Sequence, residues 1–271
     1  VIIGGGFSGA AVALNLLHNL APAAASVTIV EPREVLGAGL AYSAPDPTHR
    51  VNVSAKRLLV LQSDPTAFDT WLRGSGILDE DPAALLPDGR AFPRRAVFGR
   101  YLDGLLRAKA AEPDVAPFAH VRARAVKIAR HHDGYDIVLD NGEVVSADLV
   151  VLAVSHPPPA VPKPLRDISR HEKFIADPWG RDALAGIATG DRVLIIGTAL
   201  STADAVATLD AAGHEGEIVA VSRRGLVSRL RPRVPDVYFG DFATAPAETA
   251  LALVKHARAT IAAAEAAGSC W

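Results

Sequence analysis

The sequence contains no methionine and a single cysteine, Cys270, one residue before its end. One thiol excludes a disulfide scaffold, a cysteine-based zinc site and a Cys-x-x-Cys redox centre. No apolar run approaches the roughly 18–20 residues of a membrane helix, so no membrane contact is expected. Neither charge dominates: 28 Lys+Arg face 30 Asp+Glu, a net charge of −2, and aromatic residues make up only 6%. Without a basic field or interleaved aromatics, no nucleic-acid partner is expected. No signal peptide is visible, and a cytoplasmic location is the expectation. What the chain does have is core material, 49% apolar residues in 271, with a mean hydropathy of +0.20. That composition is globular, and the length suits one large domain or two ordinary ones.

The organising feature is a pair of strand–turn–helix–strand units, at 1–31 and 193–222. In the first, Val1-Ile2-Ile3 reads as a buried strand, and Gly4-x-Gly6-x-x-Gly9 follows it. An Ala/Leu-rich helical run from Ala10 to Leu20 comes next, then a strand Val27–Val30 that ends at Glu31. Each glycine has a purpose in a dinucleotide turn. The first makes the tight bend, the second lets a pyrophosphate reach the backbone, and the third lets helix pack on strand. The helix N-terminus, with Phe7 and Ser8 in its opening turn, offers unpaired N–H groups and partial positive charge to phosphates. Glu31, 22 residues after Gly9, is placed to accept hydrogen bonds from a ribose diol. An acid there disfavours a 2′-phosphate, so FAD or NAD(H) is expected at this turn. The alternative is a glycine-rich turn that is only structural.

The second unit keeps the layout and loses glycines. Gly197 is present, but Ala199 and Thr202 replace the second and third, with Ser201 between them. A Cβ at Ala199 crowds the pyrophosphate approach, and Thr202 is expected to loosen the fit of helix on strand. The next strand ends in Ser222-Arg223-Arg224, whose guanidinium groups suit a 2′-phosphate and hence NADPH. The alternative is a Rossmann-like half that no longer binds a nucleotide.

Between the units, 37–72 is rich in loop signals, and a helix is expected from about Phe98 to Ala110. Ala119–Arg130 reads as one strand. Tyr135–Leu139 and Glu143–Val145 read as a hairpin across Asn141-Gly142. Leu149–Val154 reads as a strand buried on both faces, running into His156-Pro157-Pro158-Pro159 and a linker to Pro164. A last helix is expected over Ala247–Ala267. His156, at the C-terminal end of a parallel-type strand, and Asn52 are the candidate catalytic residues, each also readable as a loop residue. Lys56 reads as a solvated loop lysine, and only a family resemblance would make it a cation near a flavin. Arg94, Arg95 and Arg100 read equally as a phosphate-holding cluster or as surface charge at a helix start. Arg229, Arg231 and Arg233 read as solvated. His131, His132 and Asp133 read as a polar turn rather than a metal site. Ser8 does not sit in a Gly-x-Ser-x-Gly elbow.

Several strings go beyond the general dinucleotide pattern: Gly37-Ala38-Gly39-Leu40-Ala41-Tyr42-Ser43, Arg50-Val51-Asn52-Val53, Pro93-Arg94-Arg95 with Phe98-Gly99-Arg100-Tyr101-Leu102, and Asp177-Pro178-Trp179. With the glycine turns and Ala147–Ala153, they make the chain resemble bacterial FAD/NAD(P)-binding flavoproteins. These have two dinucleotide-binding domains and are distant relatives of the class B flavin monooxygenases. The resemblance implies an α/β fold: a Rossmann-like parallel sheet with a crossing β-meander in three layers, plus a second Rossmann-like NADPH-type domain. It places FAD on Gly4, Gly6, Phe7, Ser8, Gly9 and Glu31, Val126 beside the adenine, and 39–52, including Asn52, near the flavin ring. NADPH would sit on Gly197, Ala199, Ser201, Arg223 and Arg224. The division expected is 1–158 for FAD and 159–271 for NAD(P).

The chain also departs from that pattern. Ala153-Val154-Ser155-His156 stands where the monooxygenases carry an Ala-Thr-Gly turn. Of their Phe-Gly-His-Trp fingerprint only Trp179 falls in place, 18 residues before Gly197, and His171 is four positions off. The expected activity is an FAD-dependent oxidoreductase reduced by NADPH and acting on a small molecule, with monooxygenation as one outcome. A flavin dehydrogenase or oxidase, or a non-catalytic nucleotide-binding module, are the alternatives. The absent methionine, the mid-strand start and a helical tail lead us to expect a fragment lacking the C-terminal return of the FAD domain.

Overall fold

A computed structural model describes residues 1–61, 63–155, 157, 159–180, 182–228, 239–242 and 244–268. It divides into two compact units, Val1–Val221 and Ser222–Trp271.

In the first unit, β1 (Ile2–Ile3) leads through the glycine turn into α1 (Phe7–Asn19), and β2 (Val27–Val30) returns parallel to β1 with Ile2 opposite Ile29. Loops and the short helices α2 (Ala67–Gly74) and α3 (Ile77–Glu80) follow, then α4 (Arg95–Ala110). β3 (Phe118–Val121) pairs parallel with β2. β4 (Ala125–His131), β5 (Gly134–Leu139) and β6 (Val144–Ala147) form an antiparallel meander, and β7 (Val151–Leu152) rejoins β1 in parallel. The parallel sheet therefore runs β3-β2-β1-β7. A second βαβ element closes the unit: β8 (Val193–Ile196), α5 (Leu200–Ala211) and β9 (Ile218–Val221), the strands parallel.

Successive residues of a strand face opposite ways, so β1 feeds two cores. Ile2 packs with Leu14, Leu17, Ile29 and Leu106 on the helical side. Ile3 packs with Val30, Ala123, Ile137 and Leu139 on the meander side. This yields three layers: meander, sheet and helices. In α1 the buried residues Ala10, Ala13, Leu14 and Leu17 recur at helical spacing. Each fully buried leucine there contributes roughly 1.5–3 kcal/mol.

Four sequence expectations change. The strand over Ala119–Arg130 is two strands in two sheets, because a tight turn, in which the Ala123 N–H donates to the Val121 carbonyl at 3.0 Å, redirects the chain. The run Leu149–Val154 is not buried on both faces: Leu149, Leu152 and Val154 are 77%, 63% and 61% exposed, since β7 is an edge strand covered on one side among the described residues. α4 begins at Arg95, three residues early, its first turn already burying Val97 and Phe98. The loop region ends sooner, at α2, whose Phe68 and Leu72 anchor it in the aromatic core.

The second unit is built on α6 (Ala250–Ala266), which starts and ends a little inside the expected bounds. Thr249 caps it, its hydroxyl accepting from the Ala252 N–H at 3.1 Å. Phe242 stacks on His256 with ring centres 4.5 Å apart.

Candidate functional site

The three glycines of the first turn have three different surroundings. Gly4 takes φ +103°, and a Cβ there would lie 2.5 Å from the Ala153 carbonyl oxygen of the strand alongside. Its N–H donates to the Val30 carbonyl at 2.9 Å, tying the turn to the end of β2. Gly9 sits directly on Gly4, and a Cβ would overlap the Gly4 carbonyl oxygen. Gly6 is different: a Cβ would meet only the Gly39 Cα, at 3.4 Å. Gly4 and Gly9 are therefore glycines because protein fills the space. Gly6 leaves its space open. No side chain caps α1, and its first turn carries no acid, so its opening N–H groups keep their positive end for an anion. Ser8, in that turn, is exposed, and Phe7 packs edge-on against Tyr42 at 6.2 Å.

The segment from Gly37 is fastened beside this turn. The Gly37 N–H donates to the Gly5 carbonyl at 2.7 Å, and the Leu36 N–H to Asp103 of α4 at 2.8 Å. A Cβ on Gly37, at φ +84°, would lie 2.5 Å from the Leu102 Cβ, and one on Gly99 would lie 2.5 Å from the Tyr42 carbonyl oxygen. The two sequence strings thus pack on each other, Gly37 against Leu102 and Gly99 against Tyr42, each glycine making room for a residue of the other string.

Glu31 is 3% exposed. Its Oε2 accepts from the Gly5 N–H at 2.9 Å, and its Oε1 accepts from the Arg33 N–H at 3.0 Å and Arg33 Nε at 2.8 Å. Burial pushes this carboxyl up, but the hydrogen bonds from Arg33 and Gly5 and the guanidinium charge outweigh it and hold it below the usual carboxylate range. An ionised carboxylate offers about four acceptor positions. All four are engaged here, the fourth by Arg33 Nη2 at 3.5 Å from Oε2, so a ribose hydroxyl would take the place of that longest bond. Arg33 carried no signal in the sequence beyond its proximity to Glu31. His120 of β3 adds a further tie, its Nε2 lying 2.9 Å from the Glu31 carbonyl oxygen.

The second turn repeats the strand tie and the backbone course of the first. Gly197 has φ +132°, and its N–H donates to the Val221 carbonyl at the end of β9, at 2.8 Å. Ala199 has φ −92° and ψ −167°, close to the −73° and −169° of Gly6, and a helix starts one residue later in both. No side chain caps α5 either. Thr202 does not simply loosen the packing. Its hydroxyl donates to the Gly197 carbonyl at 3.0 Å, so the oxygen that Gly9 covers in the first turn is satisfied by a hydrogen bond in the second.

A family model described as FAD-NAD(P)-binding matches residues 1–157. The chain belongs to that family. No curated protein matches it. Among solved structures, a mutant flavin monooxygenase from Stenotrophomonas maltophilia is 18% identical with a TM-score of 0.51, over 86% of this chain and 59% of that one. OTEMO in complex with FAD and NADP is 17% identical with a TM-score of 0.51, over 82% of this chain and 38% of that one. Bacillithiol disulfide reductase from Staphylococcus aureus is 16% identical with a TM-score of 0.54, over 95% and 61%. The likeness at these identities is one of fold, and the chain spans less than two thirds of each of these proteins.

The remaining candidates of this FAD-NAD(P)-binding chain are scattered. Asn52 and Lys56 are exposed on the loop after Arg50. Val126 is 58% exposed on β4, where the pairing with β5 shifts register. His156, Arg229, Arg231 and Arg233 lie outside the described residues. Arg223 and Arg224 belong to the second unit, where both are exposed. The three clustered arginines separate: Arg100 is exposed, Arg94 lies 3.5 Å from Asp81, and Arg95 is paired with Asp204 of α5. Asp81 forms a two-pronged pair with Arg50, 2.9 Å at each oxygen, which holds its carboxyl below the usual range. Among the described residues no group of His, Cys, Asp and Glu could hold a metal, and no helix is long and apolar enough to cross a membrane.

Proposed function

We propose that this chain is the nucleotide-binding core of an FAD-dependent oxidoreductase that NADPH reduces and that acts on a small molecule. The observation that carries the reading is the duplication of one turn geometry, each turn with an uncapped helix aimed past a tight glycine bend. The first turn fits FAD. Open space at Gly6 and the opening N–H groups of α1 would hold its pyrophosphate, and Glu31, by giving up its 3.5 Å bond from Arg33 Nη2, would accept from the adenosine ribose. FAD, when bound, supplies the two-electron acceptor. The protein's own part is to bind and orient: the 37–42 segment, fastened to Gly5 and α4, borders the pyrophosphate approach.

NADPH on the second turn is supported by the shared geometry, and its preference over NADH by the Ser222-Arg223-Arg224 sequence after β9. A second reading, in which this turn no longer holds a nucleotide, draws on the Ala199 Cβ at the position of Gly6. Asn52 and His156 stay candidates for contact with cofactor or substrate. The test is spectroscopic. The intact protein is purified, its flavin identified, and its absorbance followed anaerobically with NADPH and with NADH. Bleaching of a two-banded spectrum by NADPH in preference to NADH is expected. A protein that takes up no flavin removes the oxidoreductase reading, and one bleached by neither nucleotide favours the second reading. Reversing charge at Arg223 and Arg224 should weaken NADPH more than NADH, and equal loss refutes a 2′-phosphate role.

A further inference from the structure

Within the first unit, the two βαβ elements are joined by one polar cluster that no dinucleotide motif calls for. At its centre Arg95, the first residue of α4, pairs with Asp204 of α5. Arg95 Nη2 donates to Oδ1 at 3.1 Å, and Nη1 lies 2.9 Å from Oδ2. The side chains are only 11% and 15% exposed, so solvent screens this pair weakly. Arg95 is fixed at its other edge, where Nε donates to the Arg50 carbonyl at 2.9 Å and its backbone N–H to the His49 carbonyl at 2.9 Å. Its guanidinium lies 5.4 Å from the centre of the Trp179 ring.

A second link runs parallel to the first. The Thr208 hydroxyl of α5 donates to Asp46 Oδ2 at 2.6 Å. The same hydroxyl oxygen lies 3.1 Å from His49 Nε2 and 3.1 Å from the Asp204 carbonyl oxygen. The His49 ring meets Trp179 edge-on at 5.9 Å. Thr48 fixes the other oxygen of Asp46, through its N–H at 2.8 Å and its hydroxyl at 2.6 Å. One cluster thus ties the 46–50 loop and the start of α4 to the helix that opens one residue after Ala199.

We infer that Arg95, Asp204, Thr208 and Asp46 form a latch that sets the placement of the second dinucleotide turn against the first. They are positioning residues. A directional, buried, paired contact specifies one geometry where a greasy contact would allow sliding, and breaking one partner strands the other's charge. Resting on the proposed function, the latch sets the alignment of nicotinamide and flavin, to which transfer is steeply sensitive.

The test compares Asp204→Asn and Asp204→Glu with the unmodified intact protein in anaerobic stopped-flow reduction by NADPH. Asp204→Asn should keep full flavin content and the same half-saturating NADPH, while its limiting rate falls about tenfold or more, since a misplacement near 1 Å costs of the order of a hundredfold. Asp204→Glu, which keeps the charge, should recover much of the rate. An unchanged limiting rate in Asp204→Asn overturns the latch. If NADPH fails to reduce the unmodified protein, the proposed function fails on its own, and urea unfolding judges the latch instead. Arg95→Gln and Asp204→Asn should then be coupled by about threefold or more in the unfolding equilibrium, and additive effects overturn it.

Discussion

The contrast between Gly6 and Gly9 separates binding from folding at a single turn. In Gly6→Ala, the new methyl meets only the Gly39 Cα, at 3.4 Å, an ordinary contact. The backbone at Gly6, φ −73° and ψ −169°, suits any L-residue. Alanine is a poorer N-cap than glycine by about 0.5–1 kcal/mol, and it gains about 0.4–1 kcal/mol by restricting the unfolded chain. The two nearly cancel, so the cofactor-free melting temperature should move by no more than about 2–4 °C. Gly9→Ala gains about 1 kcal/mol of helix propensity. Against that, its methyl overlaps the Gly4 carbonyl oxygen and lies 3.0 Å from the carbonyl carbon, and neither is the movable end of a side chain. Overpacking of that kind costs about 1–3 kcal/mol and at times more, so a net loss of melting temperature is expected. FAD affinity tells the other half. In Gly6→Ala the methyl occupies the approach to the N–H groups of α1, and losing one charge-assisted hydrogen bond, about 1.5–3 kcal/mol, weakens FAD by roughly 10–100-fold. Differential scanning fluorimetry of the cofactor-free protein and fluorescence titration with FAD measure both. Undiminished FAD binding by Gly6→Ala, or a melting loss equal to that of Gly9→Ala, refutes the assignment of space at this turn.

Three further outcomes follow from the same structure. Glu31, Asp46 and Asp81 all titrate below their ordinary values of 4.5, 3.8 and 3.8 in the folded protein, so the unfolded chain binds more protons in acid. Their stabilising contribution is full above those values and is lost as pH falls through the lower folded ones; circular dichroism melts should decline below about pH 4.5, and Asp81→Asn should flatten the decline. Phe98 is fully buried against Phe7, Tyr42, Phe68 and Tyr101, so Phe98→Ala should cost about 3–5 kcal/mol in urea unfolding. Ala199→Gly should tighten NADPH by up to about tenfold, equivalent to roughly one hydrogen bond, while Thr202→Gly should only destabilise; the reverse pattern in calorimetric titration contradicts the reading of the second turn.

The parts legible in the sequence are those where local chemistry and packing demand the same residue. Gly4, Gly9, Val27–Val30 and the Asn141-Gly142 turn announced β1, α1, β2 and the hairpin, because each is dictated within a few residues. The two strand errors share one cause. An unbroken apolar run promises two covered faces, but whether a neighbour supplies the second is a fact of the sheet: Leu149–Val154 reads as buried and becomes the edge strand β7. The Ala119–Arg130 pattern is continuous in hydropathy and broken in space, since one turn at Val121–Ala123 hands the chain from the parallel sheet to the meander.

Arg95 shows the limit most clearly. In sequence it is one of three clustered arginines, equally readable as a phosphate hook or as surface charge, and nothing local distinguishes it from Arg94 or Arg100. Its partner, Asp204, is 109 residues away in a different βαβ element. Pairings across such distances leave no periodicity and no spacing to read, yet they are what a fold with two strand–turn–helix units needs if the units are to hold a fixed separation. The turns themselves can be built from strand, bend and helix propensities, but their mutual placement requires long-range contacts of defined direction. The same logic reinterprets the degraded second motif. Counting glycines scores two losses, at Ala199 and Thr202. Accounting for hydrogen bonds scores one, because the Thr202 hydroxyl satisfies the Gly197 carbonyl at 3.0 Å and preserves the bend. What then separates the two turns in sequence is the methyl of Ala199, at the position of Gly6, and Ser222 where the first turn has Glu31.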